Sequence, residues 1–228
     1  MNPSDFFETI YPQGTEFETL RKAYSEREFE KIVEKLGFTF KPGLKILDVG
    51  CGSGGIAEEL LKEKYKLDVY AIDVYQHEQM QTRKGVKFKK ASAEKIPFSS
   101  NFFDYVFEHD VLHHVDERSQ SREKHLRVLR EMKRVAKPNG AIIMVEANRY
   151  NPLFYPHMVK MVGEGVFSQA YFKKLATEIF PNVQFKHYEH HFYPAKFKLL
   201  FSAYDLLMNK FSPKAFLSYN LAIARKTK

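Results

Sequence analysis

Four glycines fall within six residues in the run Lys45-Ile46-Leu47-Asp48-Val49-Gly50-Cys51-Gly52-Ser53-Gly54-Gly55. Glycine reaches positive φ and lets a ligand come into contact with the main chain. The apolar residues ahead of them (Ile46, Leu47, Val49) predict a buried strand. Behind them, Ile56, Ala57, Leu60 and Leu61 alternate with Glu58, Glu59, Lys62 and Glu63 at helical spacing. A helix that starts on a glycine turn offers unpaired N–H groups and the positive end of its dipole to a phosphate or carboxylate. Asp73 closes a second apolar stretch, 68–73, at 23 positions after Gly50, and a carboxylate there can accept from both hydroxyls of a ribose. Together these residues describe a site for an adenosine-containing ligand. Gly50-x-Gly52-x-x-Gly55 satisfies the dinucleotide fingerprint, and Asp48-x-Gly50-x-Gly52-x-Gly54 describes the same residues with an acid leading. A P-loop is excluded, because no Gly-Lys-Ser/Thr follows.

Proton-transfer chemistry falls to histidine, which titrates near neutrality. The chain has nine. His109, His113 and His114 cluster after a fourth apolar run, and His187, His190 and His191 cluster near the end of the chain. His109 and His113 are the candidate bases, whereas His114 reads as a packing or turn residue. His187-x-x-His190-His191 has the residue types of a metal site. Alternation along a strand, however, puts 187 and 191 on one face and 190 on the other, so no metal is expected. Cys51 is the sole cysteine, which rules out disulfides and Cys-rich metal centres. With no positioned base it reads as a small loop residue and not as a nucleophile.

The elements that must position these groups alternate. A helix is expected over 15–36, strands at 45–49, 68–73, 86–90 (a sheet edge) and 102–108, a long helix over 116–136, a turn at Lys137-Pro-Asn-Gly140 and an apolar, central strand at 141–145. Strands separated by helices imply right-handed crossovers and a parallel, doubly wound α/β sheet with helices on both faces. Beyond Glu146 the rhythm changes to helices at 153–162 and 168–179, a strand at 183–190, a Phe-, Leu- and Lys-rich helix at 195–211 and a last strand at 216–224. One domain over 1–228 accounts for this: a core at 44–147, an N-terminal helical cap at 1–40, and acceptor-side helices and lid at 148–215.

Four segments in order, Ile46-Leu-Asp-Val-Gly-Cys-Gly-Ser-Gly54, Ala93-Glu-Lys-Ile-Pro-Phe98, Phe103-Asp-Tyr-Val-Phe-Glu-His-Asp-Val-Leu-His-His-Val115 and Lys137-Pro-Asn-Gly140, resemble class I S-adenosylmethionine-dependent methyltransferases of the "methyltransferase domain 11", small-molecule type. The resemblance covers residues 44–147. It implies a mostly parallel seven-stranded Rossmann-like sheet with an antiparallel last strand, S-adenosyl-L-methionine as cofactor and S-adenosyl-L-homocysteine as product. By the same resemblance, Asp48 braces the loop and faces the cofactor's amino group, and Gly50, Cys51, Gly52 and Gly54 cradle the methionine part. Asp73 takes the ribose hydroxyls and Val74 lies against adenine. Ala93 and Glu94 contact the adenine edge, with Ser92 where the family often has Asp. Glu108 ends the fourth strand with its backbone facing the methionine amino group, and Val111 and His114 sit in the turn that closes over the cofactor. The Asn/Asp-Pro-Pro-Tyr/Phe pattern of amino-purine or glutamine methylation is absent; Glu108-His109-Asp110-Val111 stands there.

The resemblance is silent on the acceptor. Aromatic residues outside the core (Phe6, Phe7, Tyr11, Tyr150, Phe154, Tyr155, Phe167, Tyr171, Phe172, Phe192, Tyr193, Phe197 and Phe201) either line a lid over an apolar or ring-bearing substrate or pack on the sheet. The expected function is methyl transfer to oxygen or nitrogen of a small-molecule, glycan-like or lipid-linked acceptor; the alternatives are an RNA methyltransferase or a non-catalytic cofactor-binding partner. The net charge of +8 is uneven: residues 116–137 hold eight basic against four acidic side chains, and residues 186–228 hold eight against two. That asymmetry leaves nucleic acid open without favouring it, since net charge alone speaks to association and not to fold. Helix 195–211 reads as a lid, a dimer face or a peripheral membrane contact. The first residues carry no basic-then-apolar leader and no run reaches the length of a membrane span, so a cytoplasmic protein is expected.

Overall fold

The computed structural model describes residues 15–54, 56–78, 84–163, 165–191 and 197–227. Gly55, Ala195, Lys196 and the aromatic residues Phe6, Phe7, Tyr11, Phe192 and Tyr193 lie outside them. Seven strands form one sheet: β1 (Lys45–Val49), β2 (Asp68–Asp73), β3 (Lys87–Lys90), β4 (Phe103–His109), β5 (Ala136–Ala147), β6 (Gln184–Tyr188) and β7 (Tyr219–Arg225), in the order β3-β2-β1-β4-β5-β7-β6. Pairing is parallel from β3 through β5. β7 runs antiparallel to both β5 and β6, as expected for the last strand. β3 stands at an edge, where Lys87, Lys89 and Lys90 discourage pairing with another chain.

Alternate residues of the central strands feed two cores, the signature of a sheet covered on both faces. Ile46, Val69, Phe107, Ile143 and Val145 pack under helix α1 (Thr15–Lys35) and the π-type helix Ile56–Lys64. Leu47, Val49, Val106, Ile142 and Met144 pack under helices α2 (Arg122–Val135) and α3 (Gln169–Ile179). Phe29 of α1 is buried with its ring 5.6 Å from that of Phe107. Burial of such a ring stabilises by about 2–3 kcal/mol, enough to fix α1 as part of the core. β1 has β2 on one side and β4 on the other, so chain connections leave in opposite directions at this point. That reversal opens a crevice at the carboxyl ends of β1 and β4, where ligands of open α/β sheets sit.

The last strand begins at Tyr219 and not at 216, and β6 is shorter than the expected 183–190, but the largest departures lie at α2 and β5. The 116–136 helix starts only at Arg122, because Asp116 and Gln120 take left-handed backbone (φ 60° and 47°), which ends or prevents helix. Lys137-Pro-Asn-Gly140 is not a free turn but a bulge within β5: Phe103 pairs with Ala136, then Tyr105 pairs with Ala141. The Lys137 ammonium clamps the bulge to Asp104 at 2.7 Å. A Cβ on Gly140 would stand 2.9 Å from the carbonyl oxygen of Lys137 and 3.1 Å from that of Asp104. Gly140→Ala is expected to lower the unfolding free energy by about 2 kcal/mol, read by urea denaturation; an unchanged midpoint would show that the bulge adapts freely.

Candidate functional site

The glycine turn is held from β2. The backbone N–H groups of Gly50 and Cys51 both donate to the Ile72 carbonyl (2.8 and 3.1 Å), and Gly54 N–H closes onto Cys51 O at 2.9 Å. The Gly52 N–H donates to Asp73 Oδ2 and the Tyr75 N–H to Asp73 Oδ1, both at 2.9 Å. Each Asp73 oxygen thus holds one amide and keeps a further lone-pair direction. Gly50 (φ 71°) has no room for a side chain, since a Cβ would lie 2.4 Å from Val111 Cγ2. Gly52 (φ 54°) faces open space. The loop brace expected of Asp48 is therefore supplied by Asp73 and the Ile72 carbonyl. Asp48 is buried beneath the loop; burial raises its pKa to about 7, with Asp73 adding to the rise and His109 opposing it. Burial, Asp48 and Asp73 likewise push the Cys51 thiol up, which removes it as a nucleophile.

The turn after β4 is fixed by carboxylates. Asp110 takes left-handed backbone (φ 54°), and its Oδ1 accepts the Ala147 N–H at 2.8 Å. Glu108 Oε2 accepts from Val111 N at 3.2 Å, and Glu146 Oε1 from Leu112 N at 2.7 Å. Glu146 Oε2 meets His113 Nδ1 at 2.6 Å. Burial, the Glu146 carboxylate and Asp110 hold Glu108 well above the carboxylate range. The protonated form of Glu108 is thereby favoured.

Above the glycine turn and this second turn lies a cavity of about 770 Å³. It gathers Gly50, Gly52, Asp73, Val74, Ser92, Ala93, Glu94, Val111 and His114 of the expected residues. Asp48, Cys51, Gly54, Glu108, His109 and His113 are not among its lining residues. Tyr75, His77, Asp110, Asp116, Glu117 and Arg118 line it without having been expected. Residues 116–118 belong to a stretch whose composition runs smoothly into α2, and Asp110 stands beside His109 in a run rich in histidine, so no local pattern marks them as lining residues. Ser92 Oγ accepts the Glu94 N–H at 3.1 Å, and the Glu94 carboxylate pairs with Arg127 at 3.3 Å. His114 Nδ1 meets Glu117 Oε1 at 2.7 Å.

His109 points away from the cavity toward α1, its Nε2 at 3.2 Å from Glu28 Oε1. Burial disfavours the imidazolium, but Glu28 and Asp110 outweigh it and raise the His109 pKa to about 10. A histidine that keeps its proton at neutral pH is a fixed cation and not a base. The later histidines do not converge. His187 meets Asn220 at 3.1 Å, His190 stacks on Tyr24 at 4.4 Å, and His191 is hydrogen-bonded between Asp205 (3.1 Å) and Asn151 (3.3 Å). Most described aromatic residues of the acceptor side are packing residues: Phe167 and Phe172 are buried in the core, Phe154 lies against His191 and Tyr219, and Tyr171 meets His125, while Tyr150 is exposed. The basic stretch of α2 is largely neutralised in place, Arg122 by Glu178, Arg127 by Glu94, Arg130 by Glu123 and Arg134 by Glu131.

Comparison with known proteins agrees with this geometry. Residues 47–144 match the family described as Methyltransferase domain. The sequence is 30% identical over 124 residues to phosphoethanolamine N-methyltransferase 2 of Caenorhabditis elegans (50% of this chain, 26% of the relative). It is 29% identical over 119 residues to demethylmenaquinone methyltransferase of Bacillus cereus (48% and 47%). The chain spans less than half the length of these curated relatives. A solved S-adenosylmethionine-dependent methyltransferase from Thermotoga maritima superposes with a TM-score of 0.64 at 18% identity, covering 92% of each chain. Phosphoethanolamine N-methyltransferase 2 of Haemonchus contortus, solved with S-adenosyl-L-methionine, superposes with a TM-score of 0.59 at 17% identity (89% and 53%). Residues 47–144 thus form a methyltransferase domain, set in a chain with the Rossmann-like class I methyltransferase fold.

The Glu28–His109 pair has a pH signature. The folded-state pKa of His109 is raised above its ordinary 6.5, so its contribution is complete below about pH 6.5 and lost as pH rises through about 10. His109→Gln is expected to destabilise by about 3 kcal/mol near pH 6, with the difference from the parent chain shrinking toward pH 10. Denaturation across that range checks it; a difference that does not change with pH would contradict the ion pair.

Proposed function

We propose that this chain transfers the methyl group of S-adenosyl-L-methionine to oxygen or nitrogen of a small-molecule acceptor. The observation that carries the reading is the cavity over the glycine turn of a methyltransferase domain, with the Asp73 carboxylate at its wall. Its volume is in the range of cofactor sites. The absence of space at Gly50, the open approach at Gly52 and the spare lone pairs of Asp73 suit a ligand laid directly on the main chain. In this reading Asp73 holds the ribose hydroxyls, and Val74, Ser92, Ala93 and Glu94 surround the adenine. Gly50 and Gly52 form the methionine end, backed by Asp48, Cys51, Gly54 and Glu108, and Val111 and His114 close the site. The cofactor, when bound, supplies a sulfonium whose methyl is already activated for in-line displacement. What the chain contributes is position and exclusion of water, with His109 and His113 as fixed partners of the turn.

The relatives are named for phosphoethanolamine and demethylmenaquinone, and these support an acceptor that is a small molecule, polar or lipid-soluble. Methyl transfer from labelled cofactor to phosphoethanolamine, sarcosine and fractionated cell extract tests the reading. Label in any organic-soluble or small-molecule fraction is expected; none in any fraction, at saturating cofactor, would contradict it. Gly50→Ala is expected to weaken S-adenosylhomocysteine binding about tenfold or more, given the Val111 clash and left-handed backbone. Gly43→Ala, equally left-handed (φ 78°) but with nothing within 4 Å, is expected to leave affinity unchanged. Calorimetry showing equal affinity for parent and Gly50→Ala would refute the loop assignment.

A further inference from the structure

Helix α4 (Lys198–Phe211) carries an apolar face that the fold turns outward. Leu199, Leu200, Leu206, Leu207 and Phe211 are exposed, Leu199 by 85% and Leu206 by 66%. Their spacing, two leucines, two more a heptad later and a phenylalanine, places them on one side of the helix. The other side is anchored. Asp205, the only acid in the helix, is buried, with its carboxylate 3.1 Å from His191 Nδ1 and 3.6 Å from Lys31 Nζ. Asn209 Oδ1 accepts the Glu189 N–H at 3.1 Å, and the Tyr204 ring lies 5.5 Å from that of His191. These contacts fix the helix rotation, so the leucines face outward by construction and not through loose packing.

Turning Asp205 inward strips the outer face of negative charge. Lys198 and Lys210 stand at its two ends and Lys214 follows just beyond, and the Lys210 ammonium lies 5.3 Å from the Phe211 ring. We propose that this face docks on an anionic lipid bilayer, the helix lying in the interface with its leucines in the acyl boundary and its lysines at the headgroups. Charge complementarity selects that occupant: an apolar strip with Lys198, Lys210 and Lys214 at its ends matches a surface that is apolar within and negative at its rim. A second copy of the chain is disfavoured, because a two-fold contact through this face would set lysines against lysines. At 14 residues the helix is about 21 Å long, too short to span, and no described helix is long and apolar enough to cross a membrane. The surface is separate from the cofactor cavity, so the proposal stands or falls independently of methyl transfer.

The test is co-flotation of the full chain with phosphatidylcholine vesicles, with and without phosphatidylglycerol. Binding to the anionic vesicles is expected, with Leu206→Gln/Leu207→Gln lowering the partition coefficient about tenfold or more. Lys198→Gln/Lys210→Gln should weaken binding to anionic vesicles and leave binding to neutral ones unchanged. Leu199→Gln/Leu200→Gln serves as a second variant should the first fold poorly, as judged by circular dichroism. Failure of the parent chain to float with anionic vesicles would overturn the proposal. So would a dimer in light scattering that the leucine variants dissociate while vesicles leave the chain unbound.

Discussion

The buried carboxylate of Glu146 fixes the geometry on which the site depends. It reaches across from β5 to accept the Leu112 N–H through one oxygen and to meet His113 Nδ1 through the other. A buried carboxylate with both oxygens engaged is tolerated at low dielectric only because these partners replace water. Glu146 thereby sets the turn in which Asp110 takes left-handed backbone and Val111 is pressed onto Gly50. Val111 lies against Gly50, so the glycine turn and the turn after β4 meet at one wall of the cavity.

A second consequence concerns charge. Glu108 and Asp110 at the end of β4 meet Glu146 of the neighbouring β5, and like charges brought together in this way cannot all ionise without water. The conflict is eased locally: the Glu108 pKa is pushed up, His113 pairs with Glu146, and His109, held cationic by Glu28 and Asp110, faces α1. The N-terminal helix is in this way tied electrostatically to the end of β4, immediately behind the cavity. Residues of catalytic type serve here to hold backbone in place, a use that residue type alone does not reveal.

Most of the fold was legible because it follows from periodicity. Apolar runs such as Ile142–Val145 and the helix face of Leu126, Leu129 and Met132 leave little choice of partner. The glycine turn and the strand-end acid were legible for a related reason, since backbone geometry dictates both. What was not legible turned on single residues with unusual backbone. Asp116 and Gln120 end a pattern that continues smoothly in composition, and the Lys137–Gly140 bulge uses the residues of a free turn. The direction of His109 depends on Glu28, 81 positions earlier in the chain, a pairing that no local pattern encodes. On α4, composition showed leucine and lysine together, but only the inward Asp205 anchor shows which face is left outside.

The most direct measurement of the cofactor assignment is a crystal structure with S-adenosylhomocysteine bound. The expected result is adenosine in the cavity over the glycine turn, with both ribose hydroxyls on the Asp73 carboxylate and adenine beside Val74 and Ala93. Ligand density away from the Asp73 carboxylate, or an unchanged empty cavity at saturating ligand, would contradict it.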